Sequence, residues 1–181
     1  MKTTKNLAEI AIGEIFEVAE IKFIKFAEKN GQTIAVAKDT LFTSSFGKDN
    51  NFSKSIIKRR LENEILPNIE AEVGEENIVE HEVDLLSLDG DDKHGKINCK
   101  ISIPTFDFYR HNVKMFDKYK LDAWWWLANP DSTSAHCNDN WSVCVSPRGN
   151  VYCNGFFNFF GVRPFIVFVS SISVIFVSCE E

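Results

Sequence analysis

From Ala123 to Cys179 the chain carries only four charged residues, Asp131, Asp139, Arg148 and Arg163, although charged residues make up 25% of the whole sequence. The last lysine is Lys120. Trp, Phe, Asn, Ser, Gly and Cys crowd the vacated positions. A long segment with so little charge must bury its apolar side chains or present them for a purpose, because soluble surfaces rarely expose large apolar patches. The chain therefore reads as one domain over residues 1–181. Residues 1–122 form a charged scaffold half, and residues 123–181 form a ligand-display half that ends in core strands. A length of 181 residues supports one ordinary core and is short for two.

Composition removes several functions. The net charge of −6 and the pI near 5.3 argue against a nucleic-acid partner, since phosphate binding needs a basic patch. The same balance disfavours an anionic membrane surface. Membrane insertion is not expected, because the longest apolar run, Phe165 to Val177, is broken by Ser170, Ser171 and Ser173 and falls short of the roughly 20 residues a bilayer-spanning helix takes. Met1 to Asn6 lead into Leu7–Ile10 without the apolar core of a signal peptide. The five cysteines, at 99, 137, 144, 153 and 179, are odd in number and show no C-x-x-C spacing. They read as free thiols of a soluble intracellular protein, or of one packaged directly into a particle.

The scaffold half gives local signals. Ile15–Val18 and Ile21–Phe26 read as strands. Asn30-Gly31 is a hairpin turn returning through Thr33–Ala37. Ser53 is the expected N-cap of a helix with Ile57, Leu61 and Ile65 on one face, ended by Pro67. Its basic cluster Lys58-Arg59-Arg60, offset by Glu62 and Glu64, reads as a solvated face. Glu80–Leu88 and Lys96–Ile103 read as strands joined by the acidic stretch Asp89–Gly95. That stretch lacks the order and the twelfth-position glutamate of a calcium loop, so a solvated turn is expected. Thr105–Phe116 reads as a short helix with Phe106, Tyr109 and Val113 on one face. Arg163–Val169 and Ile172–Val177 read as two strands paired with each other, buried on both faces.

In the display half, Phe156, Phe157, Phe159 and Phe160 cannot all face a core along one strand, since neighbours point to opposite faces. Some are therefore expected at the surface, where aromatic patches mark interaction sites. Tyr, Ser, Asn, Gly and Trp are also the vocabulary of antibody paratopes. At least two of Trp124, Trp125 and Trp126 are expected in the core. Asn129-Pro130 and Arg148-Gly149-Asn150 are expected as turns.

Trp124-Trp125-Trp126-Leu127-Ala128-Asn129-Pro130 and Gly161-Val162-Arg163-Pro164-Phe165 bracket this segment. The pair resembles a domain family of unknown function from phage and prophage genomes. Val83–Gly90 and Thr105–Arg110 are similar to its middle section, so the resemblance covers roughly residues 52–177. The frame is also similar to variable proteins of diversity-generating retroelements. That likeness implies an α+β, C-type-lectin-like fold, strand-rich, with one or two helices on a mostly antiparallel sheet. It also implies a C-terminal segment whose residues are replaced by adenine-directed mutagenesis of Asn-type codons.

The runs 131–140 and 152–160 consist of residues reachable from such codons. The ligand surface implied is Asp131, Ser134, Ala135, His136, Asn138, Asp139, Asn140, Trp141, Cys144, Ser146, Tyr152, Asn154, Phe156, Phe157, Phe159 and Phe160. Trp125, Trp126, Gly149, Gly161, Arg163 and Pro164 form the implied frame, with Val143, Val145, Pro147 and Val151 between the runs. The expected partner is a protein or glycan, for example on a bacterial cell surface, with the chain in a phage virion or the host cytoplasm. Homo-oligomers fit as well, and the competing reading is a fixed assembly domain of a phage particle that uses the Phe cluster as an oligomer interface.

No nucleophile elbow, zinc helix motif or P-loop accompanies the four histidines, so no catalytic residue and no cofactor are expected. Formylglycine-generating enzymes share the lectin-like fold and use two cysteines, which leaves Cys144 and Cys153 as the only pair to consider. Fold analogy is a weak warrant for chemistry. Asn129-Pro130-Asp131 resembles the proline-centred sugar motif of the lectin superfamily. Calcium takes six to eight oxygens, however, and only Asp131 and Asp139 supply local carboxylates, so no metal is expected.

Overall fold

Asn30 and Gly31 both take positive φ, 54° and 73°, and close a two-residue hairpin between long strands. This geometry matches the right-handed twist of the strands it joins. In the computed structural model, which describes residues 2–134 and 139–177, the hairpin lies near the centre of the larger sheet. The strands are β1 (Lys2–Asn6), β2 (Ile15–Val18), β3 (Ile21–Lys29), β4 (Gln32–Ala37), β5 (Phe42–Ser44), β6 (Ile78–Val79), β7 (His81–Asp84) and β8 (Lys96–Cys99). They continue with β9 (Ile101–Ser102), β10 (Trp125–Pro130), β11 (Trp141–Val145), β12 (Val151–Gly155), β13 (Phe160–Val162), β14 (Phe165–Val169) and β15 (Ser173–Val177). The helices are α1 (Ile56–Arg60), α2 (Leu66–Val73), α3 (Phe106–His111) and α4 (Val113–Lys118).

An eight-stranded antiparallel sheet runs β1-β15-β2-β3-β4-β14-β6, with β9 also paired to β14. A five-stranded sheet runs β12-β11-β10-β13-β5 and is antiparallel except where β13 lies parallel to β10. β7 and β8 form a separate hairpin. The architecture is α+β and strand-rich, with few helices.

Two apolar clusters hold the layers. On one side of the large sheet Phe16, Phe23 and Phe168 pack ring against ring and meet Ile57, Leu61 and Ile69 of the helical segment. On the other side Ile24, Phe26 and Val36 meet Tyr109 and Phe116 of α3 and α4, together with Trp125, Leu127, Val143 and Val145. The small sheet thus contributes to both clusters, for Trp126, Ala128 and Cys144 belong to the first. Chain halves of different composition share one interior.

Four local expectations are corrected. Ser55, not Ser53, caps α1, its hydroxyl accepting from Lys58 N at 2.9 Å, while Asn51 caps the preceding 3₁₀ turn. Pro67 does not end the helix. A π turn over Leu61–Ile65 precedes it, so Pro67 falls in the first turn of α2, where a missing N–H costs little, and the helix runs on to Gly74 at φ 88°. The Thr105–Phe116 helix breaks at Asn112, which leaves Val113 39% exposed and gives the buried position to Phe116. β14 and β15 do not pair with each other: β14 joins β4, β6 and β9, and β15 joins β1 and β2. The meander β2–β3–β4 lies between them. Ser170 fixes the crossing, with its hydroxyl 2.8 Å from that of Thr33 and its amide donating to Gly31 O at 2.7 Å.

Candidate functional site

The frame residues are tied into the fold by packing and hydrogen bonds. Trp125 and Trp126 point to opposite clusters, and the Trp126 indole donates to Ser44 O at 3.0 Å. Arg163 is buried with its guanidinium 5.1 Å from the Trp125 ring and 5.2 Å from the Phe116 ring. Its Nε donates to Ala37 O at 2.9 Å, and burial lowers its pKa to about 10. A side chain on Gly161 would collide with Thr40, whose Cβ would lie 2.9 Å from the new atom. Gly149 sits at φ 82° in the turn expected over 148–150, and its carbonyl accepts from the Tyr109 hydroxyl at 2.7 Å. Pro164 presents its carbonyl to Ala37 N at 2.8 Å.

Asn129-Pro130 lies within β10 rather than in a turn. The buried Asn129 amide is a junction: its oxygen accepts from Phe106 N at 2.7 Å, and its nitrogen donates to Asp84 O and Leu86 O at 3.1 and 2.8 Å. These bonds use both of its amide protons and one lone pair of its oxygen.

The first display run is clamped at its base. Asn50, 2% exposed, donates through Nδ2 to Ser132 O at 2.7 Å and to Trp141 O at 3.0 Å. One side chain therefore ties both flanks of the run. With both amide protons so used, Oδ1 is the acceptor and His94 Nε2, 3.0 Å away, must be the donor. The acidic turn grips the same flank. Thr133 donates to Asp91, Lys93 Nζ donates to Thr133 O at 3.2 Å, and Leu88 N reaches Pro130 O and Asp131 O at 3.2 and 3.1 Å. Hydrogen bonds from Ser87 and Ser132 hold Asp89 below the usual carboxylate range, and Thr133 does the same for Asp91. The expectation of a merely solvated turn is thus corrected. A polar cleft of about 310 Å³ opens here, lined by Asp49, Asn50, Asn51, Lys54, Lys93, His94, Thr133 and Asp139.

The expected surface residues divide into three groups. Ala135, His136 and Asn138 lie outside the described residues. Cys144 and Ser146 are buried, which corrects their assignment to the surface: Cys144 faces inward from β11 beside Trp126, and Ser146 closes the turn through Asn150 N. The rest reach solvent wholly or in part. Trp141 is 42% exposed, Tyr152 47%, Phe157 65% and Phe159 73%. These four are the exposed aromatic side chains among the described residues. Asp131, Ser134, Asp139, Asn154, Phe156 and Phe160 are half-buried, and Asn140 is exposed.

The phenylalanine cluster is not a strand. Residues 156–159 form a turn between β12 and β13, in which Asn158 N donates to Gly155 O at 3.0 Å. Phe156 and Phe160 pack inward, and Phe157 and Phe159 project. Phe160 lies 5.5 Å from Trp124 and 4.6 Å from Trp126, while Tyr152 lies 5.2 Å from Trp124. A chain of rings thus leads from the surface into the core. In the β11–β12 register Trp141 faces Gly155, and the Phe157 ring covers the side of Gly155 where a Cβ would stand. Cross-strand partners share a face, so Trp141 and Phe157 are neighbours there. Tyr152 and Asn154 lie on the opposite face, and the surface wraps the free edge of the sheet.

Cys99, Cys144 and Cys153 are free thiols. Burial pushes Cys144 up to about 11, and burial with the Asp131 carboxylate pushes Cys153 higher still, so neither holds the thiolate that nucleophilic chemistry requires. Among the described residues no group of three or more His, Cys, Asp or Glu side chains is placed to hold a metal ion. No described helix is long and apolar enough to cross a membrane.

Comparison with protein-family models, with curated proteins and with solved structures finds no match to this chain.

Proposed function

We propose that this chain is a ligand-binding protein whose recognition surface is displayed at one edge of a small sheet, on a C-type-lectin-like scaffold of the kind that retroelements diversify in phages and prophages. The observation that carries the reading is the concentration of exposed aromatics. Trp141, Tyr152, Phe157 and Phe159 all fall within one segment whose single charged residue is Arg148, while Phe106, Phe108 and the core phenylalanines are at least partly covered. Solvated aromatic surface costs stability unless a partner covers it. The clamps at Asn50, Asn129 and Arg163 support the reading, because they hold the segment through main-chain groups and leave its projecting side chains outside the supporting bonds. The ligand is a protein or a glycan, the aromatics supplying area and Asp139, Asn140 and Asn154 supplying hydrogen bonds.

Two measurements test this. Joint randomisation of Asn140, Tyr152, Phe157 and Phe159 should leave folding cooperative and move Tm by only a few degrees, as exposed sites do. Loss of folding in most such variants would show that these side chains are structural. A coding near-copy of residues 131–160 beside a reverse-transcriptase gene, differing at adenines, is expected from the diversification part. Without such a copy, only a fixed binder remains.

A further inference from the structure

The edge strand β12 offers an interaction that depends on its backbone rather than on its side chains. Ser146 N donates to Asn150 O and Phe156 N to Asn140 O, both at 2.9 Å, just beyond either end of the β11–β12 ladder. Hydrogen-bonded and non-hydrogen-bonded pairs alternate in an antiparallel ladder. Asn154 and Tyr152 are therefore the residues bonded to β11, and Val151, Cys153 and Gly155 turn their N–H and C=O groups away from it. Gly155 O is taken by Asn158 N and Asn158 Nδ2, both at 3.0 Å, and its residue is buried under Phe157. Val151 and Cys153 are left with an open donor and an open acceptor each, and no described group bonds them.

Other sheet edges of the molecule are blunted. β1 carries Lys5, β6 has two residues, β5 has three, and the β7–β8 hairpin carries Glu82, Asp84 and Lys96. Short length and edge charge are the usual protections against strand addition. β12 is five residues long and has no charge of its own, since no charged residue occurs from Val151 to Phe160; the nearest carboxylate is that of Asp131, at the Cys153 side chain.

We infer that β12 pairs antiparallel with β12 of a second copy of this chain, making a two-fold dimer through the edge of the small sheet. The symmetry of the open groups favours this occupant: the outward N–H and C=O groups of Val151 and Cys153 flank Tyr152 evenly, so a second copy turned about a two-fold axis at Tyr152 satisfies them all. Symmetry then fixes the register. The arrangement that uses every open group of Val151 and Cys153 sets Val151 opposite the partner's Cys153 and Tyr152 opposite the partner's Tyr152, with four main-chain hydrogen bonds. Tyr152 becomes a non-hydrogen-bonded pair with its copy, with Cα atoms about 4.5 Å apart. The dimer does not rest on the ligand-binding reading, but it bears on it. Main-chain bonds survive uncharged replacements of side chains, so a segment whose residues change in this way can keep its partner and present two display surfaces side by side.

Sedimentation equilibrium of the whole chain is the test, run up to about 1 mM so that even a weak interface would populate the dimer. A reversible dimer is expected. Val151→Pro removes an outward donor and no ladder bond, and Tyr152→Lys sets two lysines face to face. Each should weaken association by at least about tenfold while circular dichroism stays native. Tyr152→Cys should form an intermolecular disulfide at that position on oxidation, located by peptide mapping. Phe157→Ser/Phe159→Ser should leave the dimer intact. A wild-type chain that stays monomeric, a folded Val151→Pro variant that still dimerises, or a dimer that only the double serine variant dissolves would overturn the proposal. The last result would point to the assembly interface instead, and none of the three would touch ligand binding.

Discussion

Replacing Asn50 should release the base of the display run, and the cost can be worked from its bonds. Asn50→Leu keeps the volume roughly constant and deletes three hydrogen bonds, to Ser132 O, Trp141 O and His94 Nε2. At about 1 kcal/mol net for each bond, the loss is about 3 kcal/mol. The neighbouring polar cleft admits water that can rehydrate some of the orphaned groups, so about 2 kcal/mol is the expected value. Asn50→Asp should cost more than Asn50→Leu at neutral pH, because a carboxylate oxygen would then face two carbonyl oxygens. Urea denaturation of the three proteins gives these differences directly. Hydrogen exchange adds a local readout: Asp131 N donates to Trp141 O at 3.0 Å and should lose protection in both variants, while amides in β3 and β4 exchange only by global unfolding. A loss below about 0.5 kcal/mol for Asn50→Leu, with Asp131 still protected, would refute the clamp, since that is what an ordinary surface change costs.

Burial lowers the His81 pKa from its ordinary 6.5 to about 4, so the fold holds the ring neutral, with Nε2 2.8 Å from the Ser102 hydroxyl. Its folded value lies below its unfolded one, so its stabilisation is complete above pH 6.5 and is lost as pH falls towards 4. The loss should be about 3 kcal/mol at 1.36 kcal/mol per unit, and His81→Gln should flatten that part of the stability–pH curve. Gly161→Ala should destabilise by roughly 2 kcal/mol or more in thermal melts, because the new methyl meets Thr40 and the Trp124 carbonyl, with partial recovery in Thr40→Ala/Gly161→Ala. Phe157→Ser/Phe159→Ser should change stability by no more than about 0.5 kcal/mol per site while reducing binding of a hydrophobic dye. A large loss of Tm there would mean that the rings support the fold rather than its surface.

What could be read from the sequence was local. The Asn30-Gly31 hairpin and the inward turn of Trp125 and Trp126 each follow from a few neighbouring residues. What could not be read depends on partners distant in the chain. Asn129 looks like a turn residue until Asp84, Leu86 and Phe106 are brought around it, at which point a strand position satisfies it better. The acidic turn looks solvated until Ser132 and Thr133 arrive to use its carboxylates. Cys144 looks like one more small residue of the ligand surface between the two runs, and only the β10–β11 register, which sets it opposite Trp126, turns it inward. The division between projecting Phe157 and Phe159 and covered Phe156 and Phe160 came from a turn that alternation along a strand does not describe. Asn50 gave no signal at all, because an asparagine before a helix reads equally well as a cap.

The pairing of β1 with β15 has a kinetic consequence. Lys2 to Asn6 find their neighbours only at Ser173 to Val177, so that part of the large sheet cannot form until nearly the whole described chain is present. Contacts between such distant residues slow folding, because loop closure is completed before they contribute. Until then β2 stands as an unprotected edge beside its hairpin partner β3. A display segment that altered from copy to copy would be synthesised within this waiting period, and its aromatics would be selected for more than the ligand they contact: a variant must also avoid capturing that open strand before β15 arrives.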